Sequence, residues 1–160
     1  MQLSTKGRYA VMALVEIARH TPGECVPLQE VAQSQKLSVD YLEQLFMKLR
    51  RAGLITSARG PGGGYRLARS ARDINIAEIM SAVDEPVKMT RCETDDDPGC
   101  LGDARCATHD LWRALGDHLV VFLRGISLRD VVDGKFGKPD CGERITRLAF
   151  DAAMAPRVVA

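Results

Sequence analysis

No run of apolar residues in this chain approaches the roughly 18 that cross a membrane as a helix. A helical membrane span is therefore excluded, and no membrane partner is expected. The opening stretch, MQLSTKGRYAVMALVEIARH, breaks its apolar run with charge and shows a helical period, so no signal peptide is expected. A cytoplasmic location follows, where structural disulfides are rare. The five cysteines are an odd number, which leaves at least one outside any intramolecular pairing. None of them forms a C-x-x-C dithiol, and no paired carboxylates or nucleophile–base arrangement stands out, so an enzyme is not expected. The glycine-rich RGPGGG stretch lacks the G-K-[ST] of a phosphate-binding P-loop and follows no strand–helix unit.

What is present points elsewhere. A chain of 160 residues with 46% hydrophobic and 27% charged residues has the make-up of a globular protein with one good core. Net charge is only +1, yet it is unevenly spread: residues 1–75 hold eleven basic against six acidic side chains, and the remainder is acidic. That polarity suits a nucleic-acid-binding half joined to a sensing or pairing half.

Ser4 or Thr5 caps a first helix with Val11, Leu14, Val15 and Ala18 as its apolar stripe. Pro22 and Gly23 end it. A short helix over 28–35 follows Pro27, and Lys36-Leu37 makes a tight turn. Ser38 then caps a third helix, with Leu42, Leu45, Phe46 and Leu49 buried and Gly53 as its stop. Two helices across so short a turn describe a helix-turn-helix. Short strands at 54–57 and 65–67, separated by ARGPGGG, add a two-stranded wing. The expected fold is mainly α: a winged helix-turn-helix with a long dimerisation helix.

On this motif Ser38, Asp40, Tyr41, Glu43 and Gln44 are expected to face base edges in the major groove. Gln44 suits adenine and Glu43 suits the cytosine amine. Lys6, Arg8, Lys48, Arg50 and Arg51 are expected to neutralise phosphates. Arg59 at the wing tip suits a narrow minor groove, and Gly60 and Gly62 let the backbone approach phosphate. The partner is thus double-stranded operator DNA.

A fourth helix is expected over 76–85, ended by Pro86. Beyond it lies the stretch RCETDDDPGCLGDARCATH, with Cys92, Cys100, Cys106 and His109 in a loop of Asp, Gly and Pro. Three thiolates and an imidazole are able to hold zinc, a [2Fe–2S] cluster or nothing. Zinc knuckles need two cysteines two to four residues apart, which this stretch lacks, and gaps of seven and five residues suit a larger object. Cys25 reads as structural, Cys141 as incidental, and His20 and His118 as surface or interface residues. Next, a helix over 109–124 carries Leu111, Leu115, Leu119 and Phe122 in a stripe that continues to Ile126. At roughly 24 Å long, with little core to cover it, it is expected to pair with another copy. A short helix over 128–132 follows. The expected division is a DNA-binding domain at 1–88, a cysteine loop at 89–108, dimerisation helices at 109–133 and a tail at 134–160.

The stretches STKGRYA, SVDYLEQLF, RGPGGGY, SAVDE, RC and CATHDLWR, spread over about residues 1–130, carry a specific resemblance. The chain resembles the bacterial iron–sulfur cluster regulators of the IscR type, winged-helix repressors whose family also includes the nitric-oxide sensor NsrR. The resemblance implies a homodimer with a [2Fe–2S] cluster on Cys92, Cys100, Cys106 and His109, supplied by cluster donor proteins. It also implies repression of cluster-assembly genes that is relieved when the cluster is lost. A nitric-oxide- or iron-responsive repressor on this scaffold, or a zinc- or thiol-switched DNA-binding protein, are the alternatives. The first gap, seven residues, is longer than the resemblance leads one to expect, which leaves ligation expected and the geometry of the loop open.

Overall fold

The computed structural model describes residues 5–85, 89, 101 and 105–135. Its elements in chain order are α1 (Thr5–Arg19), α2 (Leu28–Gln35), α3 (Val39–Arg51), β1 (Ile55–Ala58), β2 (Gly64–Leu67), α4 (Ile76–Ala82), α5 (His109–Arg124) and α6 (Leu128–Val132).

Helix α1 runs through the centre and packs against α2, α3, α4, α6 and β2. Its buried line is Gly7, Ala10, Ala13, Leu14 and Ile17. The expected stripe of Val11, Leu14, Val15 and Ala18 is therefore rotated: Leu14 lies in the core, and the other three sit half-buried at its edge. The small residues explain this, because only they let neighbouring helices come close. A Cβ on Gly7 would run into the Met80 side chain of α4.

Helix α2 ends at Lys36, whose φ of 54° turns the chain, and Leu37 N–H donates to the Ala32 carbonyl at 2.9 Å. Ser38 then caps α3, its hydroxyl accepting from Tyr41 N–H at 3.3 Å. Leu42, Leu45, Phe46 and Leu49 are buried, as the periodicity demands. The strands begin and end within a residue of expectation and pair antiparallel, Ile55 opposite Leu67 and Ala58 opposite Gly64. Val26 was not expected here. It exchanges both backbone hydrogen bonds with Tyr65, each at 2.8 Å, and so adds a one-residue third edge to the wing.

Asn75 opens α4 with a reciprocal capping box to Glu78. The helix stops at Ala82, short of the expected residue 85, because Asp84 turns left-handed with φ 54°. Asp tolerates that conformation better than most side chains. The turn closes with Asp84 N–H on Ser81 and Glu85 N–H on Met80.

After α5 the chain returns to the head. Leu128 N–H donates to Ile74 at 2.8 Å, Ile76 N–H to Ile126 at 3.0 Å and Arg129 N–H to Ala71 at 3.0 Å. Leu128 is fully buried in the same core as Leu14 and Phe46. On α5 itself only His109 and Gly116 are buried, and Leu111, Trp112, Leu115, Val121 and Phe122 stand open.

Candidate DNA-binding surface and cluster ligands

With its apolar face sunk into the core, α3 has to present the opposite face outward. Asp40, Glu43, Gln44, Arg50 and Arg51 are all exposed there. Ser38 spends its hydroxyl on the cap, and Tyr41 is half-buried with its ring edge-on to Tyr9 at 5.9 Å. Met47 was overlooked in the sequence. It lies one turn beyond Glu43 and Gln44 on the same face and is 44% exposed, an apolar contact of the kind that suits a thymine methyl. Its spacing of four and three residues from Glu43 and Gln44 on a helix was the available signal.

The wing stands beside this helix. Phe46 meets Tyr65 edge-on at 4.7 Å, which fixes β2 against α3. Arg50 reaches the Ser57 hydroxyl at 3.5 Å, and Arg66 reaches its cross-strand partner Thr56 at 3.3 Å. Arg66 is thus a further exposed cation on the wing that the sequence did not single out. At the tip Arg59, Gly60 and Gly62 are exposed, with φ of 96° and 74° at the two glycines. Lys6 and Arg8 are exposed on the first turns of α1. Lys48 is engaged: its ammonium lies 2.6 Å from the Asp84 carboxylate. The hydrogen bond and charge of Lys48, with a smaller pull from Lys6, hold the Asp84 carboxyl below its ordinary range.

Of the four expected cluster ligands, Cys92 and Cys100 lie outside the described residues. Cys106 and His109 share one turn, His109 N–H donating to the Cys106 carbonyl at 3.0 Å. Cys106 is half-buried with its sulfur 3.5 Å from the Thr108 hydroxyl, and His109 is buried as the first residue of α5. A thiol and an imidazole so placed are a fitting half of a mixed Cys/His ligand set. Among the described residues no three His, Cys, Asp or Glu side chains converge. No described helix is long and apolar enough to cross a membrane.

Residues 3–134 match the Rrf2 family, described as iron-dependent transcriptional regulators. The chain is 48% identical over 135 residues to the HTH-type transcriptional regulator IscR of Pectobacterium carotovorum, covering 84% of this chain and 81% of that protein. To the IscR of Xenorhabdus nematophila it is 50% identical over 132 residues, covering 82% and 79%. Among solved structures, CymR, the global cysteine regulator of B. subtilis, superposes with TM-score 0.69 at 32% identity, over 83% of this chain and 97% of that one. The IscR of T. potens superposes with TM-score 0.68 at 33% identity, over 84% and 88%. A winged helix-turn-helix with this extent of similarity places the chain: it belongs to the Rrf2 family of iron-dependent transcriptional regulators, and is a DNA-binding regulator rather than an enzyme.

Proposed function

We propose that this regulator senses iron–sulfur cluster supply through a [2Fe–2S] cluster held by Cys92, Cys100, Cys106 and His109. It acts as a cytoplasmic homodimer on operator DNA and mainly represses genes of cluster assembly. The observation that carries the reading is the shared turn of Cys106 and His109. One ligand pair sits at the head of α5, the helix whose open apolar face offers the dimer contact. When bound, the cluster supplies an occupant that depends on iron, sulfur and oxidants. His109, already buried at the start of α5, transmits that occupancy to the helix it begins. The far end of α5 leads through Ile126 and Leu128 into the head core, so a shift of α5 moves the recognition helix with it. Two heads must sit about one DNA turn apart, roughly 34 Å, to read two half-sites. Within each head Glu43, Gln44 and Met47 read base edges, while Lys6, Arg8, Lys48, Arg50, Arg51 and the wing hold phosphates.

Anaerobic purification with iron, sulfide and zinc assays tests the ligand assignment. A brown protein with about two irons and two sulfides per chain is expected, and Cys106→Ala and His109→Ala should each lose or weaken the chromophore. About four irons per chain, one zinc, or a colourless protein after reconstitution would contradict the assignment.

A further inference from the structure

The pair formed by Lys48 and Asp84 joins residues 36 apart in sequence and stands at the edge of the DNA-binding surface. Asp84 is set on a fixed turn. Its backbone is left-handed, its N–H and that of Glu85 are both spent closing the end of α4, and Val83 before it is fully buried. The turn is pressed against the first turn of α1, where Gly7 leaves no space between itself and Met80 and Glu85. Lys48, by contrast, is a long flexible stem on the last turn of α3. A carboxylate carried on a fixed backbone turn therefore faces the ammonium of half-buried Lys48 from α3 and feels the charge of Lys6 from α1. These two lysines are among those assigned to phosphates.

We propose that Asp84 is a positioning residue of the DNA interface: it occupies Lys48 in place of a phosphate until a DNA backbone displaces it. The pair is exposed, so water and salt screen it and little holds it against a competing phosphate. Its effect is on the sequence-independent part of binding. A lysine that must leave a carboxylate contributes less to any duplex, and base contacts then decide a larger share of the affinity. The inference rests on the reading of Lys48 as a phosphate contact.

Asn also tolerates the left-handed backbone, so Asp84→Asn removes the charge and keeps the turn. The full-length protein would be titrated onto a fluorescent mixed-sequence duplex across a range of salt. Asp84→Asn is expected to bind about five- to tenfold more tightly near 0.1 M salt, with the slope of log K against log salt steeper by about half of the 0.9 that one phosphate contact per chain carries. Lys48→Met should flatten the slope by about the other half, and the double variant should behave as Lys48→Met alone. Asp73→Asn, an exposed acid of the same head, should leave the slope unchanged. A wild-type slope or weaker binding in Asp84→Asn overturns the proposal, as does an equal gain in Asp73→Asn. A wild-type slope in Lys48→Met overturns the phosphate reading of Lys48 and the proposal with it.

Discussion

At the scale of single residues, the wing depends on two positions where no side chain fits, Gly63 and Gly64. A Cβ on Gly64 would overlap the Val26 carbonyl, the group that accepts from Tyr65 N–H at 2.8 Å. Gly64→Ala is expected to destabilise the fold by about 1–3 kcal/mol and lower the melting temperature, while the same change at exposed Gly62 should mainly carry the cost of its positive φ. Ser127 and Asp130 make a second testable point. The Ser127 hydroxyl and backbone N–H donate to the Asp130 carboxylate at 2.7 and 3.1 Å, and these bonds hold its carboxyl below the ordinary value of 3.8. A carboxyl depressed in the folded state stabilises above its unfolded value and loses that stabilisation as pH falls through the lower folded one. Ser127→Ala should therefore lower the melting temperature at neutral pH, and the gap to wild type should narrow as the solution is acidified below 3.8. A gap that stays constant with pH would show that the pair is not ionised as described.

At the scale of elements, caps and turn residues set the helix ends, and Asn75 is the clearest case. Its side chain accepts from Glu78 N–H at 2.9 Å while Glu78 accepts from Asn75 N–H at 3.3 Å. Asn75→Ala should cost about 1 kcal/mol, read by chemical denaturation. These local devices are why so much of the fold was legible in the sequence. Ser38 before a periodic stripe and glycines between two short strands announce their elements without reference to anything distant. What was not legible depends on partners far along the chain. Val26 joins the wing only because Tyr65 comes back to meet it, and Leu128 enters the head core only because Ile74 offers its carbonyl. On α1 the close approach of neighbouring helices admits Ala10 and Ala13 and leaves the larger Val11 and Val15 at the edge of the core, which the periodicity of the helix does not reveal. In the candidate site, α3 and the wing could be read from pattern. The occupation of Lys48 by Asp84 could not, since nothing periodic links positions 48 and 84.

For the whole molecule, the open face of α5 gathers five of the seven large exposed apolar side chains among the described residues. Leu111, Val121 and Phe122 are each more than half exposed, and each apolar side chain of that size gains roughly 1.5–3 kcal/mol when fully buried. A second copy of the same helix would cover them by a two-fold contact. Phe122→Asp is expected to give a monomer by light scattering with the head still folded, because Phe122 takes no part in the core. It should also weaken operator binding by orders of magnitude, since one head then reads one half-site. A dimer that survives Phe122→Asp together with Leu115→Asp would place the interface elsewhere. The central claim, however, is that ligand occupancy at the head of α5 changes what the two heads bind. The most direct test is anaerobic selection of fragments from the organism's own genome by the full-length protein, before and after cluster removal, with Cys106→Ala alongside. The account predicts that the cluster-loaded protein selects a set of sites that the cluster-free protein and Cys106→Ala do not, with cluster-assembly promoters among them. Identical sites bound with identical affinity in all three would contradict it.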